Sequence, residues 1–119
     1  MRYMLLICSD PTAYEGMSEA EQGALYQEYF TITDEMNKRG IRESGKPLQP
    51  VNTATTVRVR NGKTITTDGP FVETKEHIVG YYILNCKNLD EALEIAGKIP
   101  DARFGAIEVR PIADITPPS

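Results

Sequence analysis

Residues 3–8, Tyr-Met-Leu-Leu-Ile-Cys, form a short apolar run that stops at Ser9-Asp10-Pro11 and predicts a buried strand. Both parities are apolar: Tyr3, Leu5 and Ile7 fall on one face, Met4, Leu6 and Cys8 on the other. A loop runs to Met17. Ser18 then predicts a helix start, with Glu21 three residues on to complete a capping box. Leu25, Tyr29, Ile32 and Met36 recur at helical spacing with Tyr26, Phe30 and Thr33 beside them. So wide a stripe assigns Tyr26, Tyr29 and Phe30 to the core. Lys38-Arg39-Gly40 closes the helix, with cations in the last turn and Gly just past it.

Gly45, Pro47 and Pro50 break the stretch from Ile41 to Ala54 into a short strand or irregular segment. Thr55 to Arg60 alternates at period two, Asn61-Gly62 is a two-residue turn, and Lys63 to Thr67 returns as the partner strand. Asp68-Gly69-Pro70 interrupts it. His77 to Cys86 predicts a second strand apolar on both faces, with Val79, Tyr81 and Ile83 opposed to Ile78, Tyr82 and Leu84. Asn88, with Glu91 behind it, caps a second helix whose apolar side is Leu89, Ala92, Leu93 and Ala96; Pro100 ends it. Phe104 to Ile112 is the last strand, and Pro111 places it at an edge.

This order predicts an α+β fold: a ferredoxin-like βαββαβ antiparallel sheet with an added hairpin and both helices on one face. Two strands nevertheless carry apolar residues on both faces, whereas antiparallel sheets usually show one face to water. The chain has no spare element to cover the second face. A second copy packed sheet to sheet would cover it, so the expectation is a homodimer.

Composition narrows the classes. The 119 residues, 25% charged and 40% hydrophobic, suit one domain over 1–119. No apolar run is long enough to span a membrane, and the first residues are too short a stretch for a secretory signal, so a cytoplasmic location without membrane association is expected. A net charge of −4 argues against nucleic acid. Cys8 and Cys86 form neither a disulfide framework nor a metal knuckle; on antiparallel neighbours they would lie at opposite sheet ends. With a single His, no metal site is expected, and no Gly-rich phosphate loop or nucleophile elbow suggests a cofactor.

The densest polar cluster is Thr67 to His77. In an extended chain Glu73, Lys75, His77 and Tyr81 share one face, which would set a base, its orienting acid and a cation in a row. Asp68-Gly69-Pro70 is equally good turn chemistry, and Glu73 and Lys75 could simply pair on a wet surface. Arg58 and Arg60 alternate with Val57 and Val59; with Arg42, Lys46 and Lys63 they make five cations against one acid, Glu43. Those cations suit an anion-binding rim or a charged outer face.

The chain closely resembles the DGPF-domain branch of the YCII-related proteins, named for the tetrapeptide that stands here as Asp68-Gly69-Pro70-Phe71. The likeness takes in Tyr3-Met4-Leu5-Leu6, Gly40, Gly45, Leu48 and Pro50, then Ala54-Thr55-Thr56-Val57-Arg58. It continues through Glu73-Thr74-Lys75-Glu76, Gly80-Tyr81-Tyr82, Asp90-Glu91-Ala92, Pro100, Gly105 and Glu108-Val109-Arg110-Pro111. The resemblance implies a ferredoxin-like fold that dimerises into an α/β barrel, and relatives fused to or encoded beside sigma factors. The wider group's His–Asp pair implies acid–base chemistry on small molecules, yet the first helix here lacks the His that relatives place there. Relatives often carry Trp in the second helix, where this chain has Leu93-Glu94-Ile95-Ala96.

Two functions fit. In the first, a cofactor-independent lyase or isomerase moves a proton with Asp68 or His77, Glu73 orients the base, Lys75 or Arg58 stabilises an oxyanion, and Phe71 and Tyr81 line an apolar wall. In the second, a non-catalytic ligand-binding or regulatory dimer, associated with a sigma factor, uses the same cluster to shape a loop. Shifted acidities converging in a closed pocket would favour the enzyme; exposed or paired charges would favour the binding module.

Overall fold

The computed structural model describes residues 1–71 and 76–118. Six strands and two helices follow in the order β1 (Arg2–Ser9), α1 (Glu19–Lys38), β2 (Arg42–Pro47), β3 (Thr55–Arg60), β4 (Lys63–Asp68), β5 (His77–Asn85), α2 (Leu89–Lys98) and β6 (Ala106–Pro111). Short 3-10 turns at Pro11–Tyr14, Val51–Thr53 and Pro100–Arg103 link them. Four strands form one sheet in the order β2-β5-β1-β6, every neighbour antiparallel, and among the described residues β3 pairs only with β4. This is the ferredoxin-like arrangement plus a separate hairpin. β6 lies at the edge, where its Pro111 costs no ladder bond.

Local chemistry explains the boundaries. The Ser18 hydroxyl accepts from the Glu21 amide at 3.1 Å while the Glu21 carboxylate accepts from the Ser18 amide, closing the capping box. Asn88 caps α2 with its side chain, accepting from the Glu91 amide at 3.0 Å, while the Glu91 carboxylate accepts from the Lys87 amide. Asn61 and Gly62 both take positive φ, 52° and 73°, the turn that matches the twist of a two-residue hairpin.

One face of the sheet packs on both helices. Tyr3, Leu5, Ile7, Tyr82 and Leu84 meet Ile32 and Met36 of α1 and Ala92, Ile95 and Ala96 of α2 in a single buried core. The helical stripes are narrower than their sequence suggests. Tyr26 and Phe30, expected in the core, are 67% and 69% exposed. One sheet face buries only the Leu25-Ile32-Met36 line of α1 with Tyr29 at its margin; the neighbouring positions rotate to solvent. In α2 the buried line is Ala92, Ile95 and Ala96, continued by Ile99 just past its end, which leaves Leu89 and Leu93 half-exposed at the rim.

A second difference arises in β5. The register shifts between Ile7 and Cys8: Ile7 pairs with Gly80, but Cys8 pairs with Ile78. This bulge exchanges the faces expected for two residues, because two side chains must share the space opposite one. Val79 packs on the core, and Ile78 lies opposite Cys8 on the helix-free face with Met4, Leu6, Tyr81 and Ile83. Cys8 and Cys86 are unbridged and at opposite ends of the sheet. Burial pushes both thiols up in pKa, which suits small packing residues rather than nucleophiles. Among the described residues no helix is long and apolar enough to cross a membrane.

Candidate functional site

The residues expected to carry chemistry separate into three places. Asp68 ends β4 opposite Thr55, exposed, and the chain turns after it because Gly69 takes φ +98°, a conformation open to glycine. The Gly69 amide donates to the Ala54 carbonyl at 2.8 Å, and the Thr56 hydroxyl donates to the Gly69 carbonyl at 2.7 Å. Asp-Gly-Pro therefore ties off the foot of the hairpin. Next to it, the Arg58 guanidinium sits 4.9 Å from the centre of the exposed Phe71 ring, a cation–π pair. Tyr81 lies elsewhere, on the helix-free face opposite Leu6 and Lys46.

His77 does not continue the Tyr81 face. It pairs with Ser9 on the far side of the bulge, so the expected row of Glu73, Lys75, His77 and Tyr81 is broken between its last two members. Glu73 and Lys75 lie outside the described residues. What His77 does line is a cleft of 560 Å³, formed where the Val51–Thr53 turn meets the start of β5. Leu48, Pro50, Val51, Ala54, Pro70 and Ile78 supply its apolar walls. Glu76 and His77 are the ionisable residues on its lining among those described. A mostly apolar cleft with a few polar groups is the usual form of a small-molecule site. Here one carboxylate and one imidazole can each accept or donate a proton to a bound group.

A third cluster escaped the sequence. Asp101, 2% exposed, accepts hydrogen bonds from the Tyr14 hydroxyl and, at 2.5 Å, from the Tyr29 hydroxyl. Burial, then the hydrogen bond to Asp101, pushes both phenols well above their ordinary acidity range. The fully buried Ser9 hydroxyl finds no well-formed hydrogen bond among the described residues, although it lies near enough to Tyr14 to favour its ionised form slightly. Arg103 closes the outside by a two-pronged pair with Glu28, at 3.1 and 2.7 Å. The cluster joins the Pro11–Tyr14 and Pro100–Arg103 turns to α1. Only Tyr29 carries a periodic signal; Tyr14 and Asp101 are 87 positions apart and in turns, so no spacing could pair them.

The tyrosines set a pH dependence. The folded chain holds both phenolic protons more tightly than the unfolded chain, whose phenols titrate near pH 10. Their stabilisation is thus complete below about pH 10 and lost as pH rises beyond it, by up to about 1.4 kcal/mol per pH unit for each. Ultraviolet titration is expected to show at least two of the six tyrosines ionising only as the chain unfolds. Ionisation of all six in the folded state would contradict the cluster.

Among the described residues no three His, Cys, Asp or Glu side chains gather as metal ligands. The chain is 34% identical over 115 residues to an uncharacterized protein of Rhizobium meliloti (strain 1021), spanning 95% of this chain and 93% of that one. The family model of the YCII-related domain matches residues 1–116, and the chain belongs to that family.

Proposed function

We propose that the protein is a homodimeric small-molecule-binding protein of the DGPF branch, acting in a regulatory or accessory role, with its ligand site in the cleft at the foot of the hairpin. The observation that carries this reading is the cleft itself: 560 Å³, largely apolar, with Glu76 and His77 on its lining. Binding is favoured over turnover because the other candidates do not converge there. Asp68 is exposed and used by a turn, Arg58 is stacked on Phe71, and Tyr81 faces the other side. The apolar helix-free face, with Met4, Leu6 and Ile83, supports a second copy packed on it. A sigma factor is the partner class that the family resemblance brings to this reading.

Glu76 and His77 also favour a second reading, a cofactor-independent isomerase or lyase in which one of them takes a proton from the bound substrate and the other returns one to it. A thermal-shift screen of hydroxylated aromatics and small acids separates the readings. A ligand at a hundred times its Kd stabilises by about 2.7 kcal/mol. Wild type and Asp68→Asn are expected to shift equally, and His77→Ala to lose most of the shift. Conversion of that ligand on incubation would establish the enzyme. Equal shifts in all three proteins, or no ligand at all, would refute the cleft.

A further inference from the structure

The β3–β4 hairpin stands apart from the sheet. Among the described residues its strands pair only with each other, and all of β4 and most of β3 are exposed. A two-stranded hairpin alone is marginally stable in water, and among the described residues this one has little packing to hold it. The chain's radius of gyration is 16.7 Å in a body 48 × 48 × 17 Å. A compact chain of this length would measure about 13.5 Å.

The register sorts the hairpin into two faces. Val57 and Val59, opposite Thr66 and Thr64, make a β-branched face whose one charge is Asp68 at the foot, opposite Thr55, and both valines are 60% exposed. Arg58, Arg60 and Lys63 crowd the other, with Ile65 among them. The hairpin, Thr55–Asp68, holds three cations and one acid, Asp68 at its foot, so the rest of the chain stands at −6 against −4 overall. One chain therefore carries both a cationic arm and an acidic body.

We infer that the hairpin is a clasp for a second copy of this chain, its valine face lying on the partner's body and its cations reaching that body's carboxylates. The inference rests on the homodimer proposed above and adds a contact beyond the sheet. Two-fold symmetry forms both arm-to-body contacts at once, since each copy offers the same pair of complementary surfaces. Long Arg and Lys side chains can lay their stems along a surface while their charged ends reach its rim. The foot of the arm is fixed by the Thr56–Gly69 and Gly69–Ala54 hydrogen bonds, so its direction is set before the partner arrives.

Sedimentation equilibrium on the full chain tests this, with two variants confined to the exposed arm: Arg58→Glu/Arg60→Glu/Lys63→Glu, and Val57→Ser/Val59→Ser. Circular dichroism checks that each keeps the wild-type fold. The charge variant is expected to weaken the dimer by roughly a hundredfold at low salt, with the wild-type dimer itself weakening as salt rises. The valine variant is expected to weaken it by roughly tenfold with little salt dependence. A wild-type dimer whose dissociation constant neither variant changes would overturn the clasp and leave the sheet-to-sheet dimer standing. A monomeric wild type would overturn both. Binding of a DNA duplex that the charge variant abolishes, with the dimer unaffected, would give the cations to a polyanion and also overturn the clasp.

Discussion

Asp101→Ala is expected to lose about 3–4 kcal/mol of folding stability, read as a lowered midpoint in urea at neutral pH. The loss comes from what the carboxylate leaves behind. Tyr14 and Tyr29 both donate to it in a setting where Asp101 itself is 2% exposed, so removal leaves two phenolic donors without their acceptor and opens a void between them. Asp101→Asn keeps the shape and one carbonyl acceptor but brings donors toward the hydroxyls, so about half that loss is expected. The Tyr29→Phe and Asp101→Ala effects should be far from additive, because both delete the same bond. A loss below about 1 kcal/mol for Asp101→Ala would mean that water replaces the carboxylate easily, and that the two turns are not held to α1 by this cluster.

Gly105→Ala is the second large effect. Gly105 follows the Pro100–Arg103 turn, and its amide donates to the Asp101 carbonyl at 2.8 Å just before β6 begins. A methyl group there would run into the Cys8 carbonyl oxygen and lie 3.0 Å from the Ser9 Cα. The obstacle is the backbone of β1, which cannot step aside as a side chain can. Relief requires β6 to lift from β1, so the expected cost is about 3 kcal/mol or more. Gly97→Ala supplies the contrast. Gly97 lies in α2 and an added methyl meets nothing within 4 Å, so up to about 1 kcal/mol of stabilisation is expected from helix propensity alone. Urea midpoints of the two variants should move in opposite directions. Equal behaviour would show that close strand packing is not what requires glycine at 105.

Those two sites also mark where sequence reading reached and where it stopped. Elements with a local cause were legible: the Ser18–Glu21 box, the Asn61-Gly62 turn and the two-faced apolar runs of β1 and β5 each declare themselves within a few residues. Faces were less legible, because one bulge reassigns Ile78 and Val79 and parts His77 from Tyr81. Nothing in the residues around Ile7 announces a bulge whose cause lies in the paired strand. The helix stripes misled for a related reason. Tyr26 and Phe30 are apolar enough for a core, yet a helix on one sheet face has only one side to bury.

The candidate site was legible in part. Asp68-Gly69-Pro70 was open to two readings, and the Gly69 φ and the Ala54 and Thr56 hydrogen bonds favour the turn. His77 reaches a cleft, but with residues 48–54 as walls, a stretch the sequence marks only as irregular. The Tyr14–Tyr29–Asp101 cluster was invisible because its members come from three elements and meet only after folding.

The most direct test is amide chemical-shift mapping in the presence of the strongest ligand from the thermal-shift screen. The account predicts perturbations confined to residues 48–54, Pro70's neighbours and 76–78, with the α1 and Asp101 amides still. Perturbations centred on Tyr14, Tyr29 and Asp101, with the hairpin foot unmoved, would contradict it and relocate the site to the buried cluster.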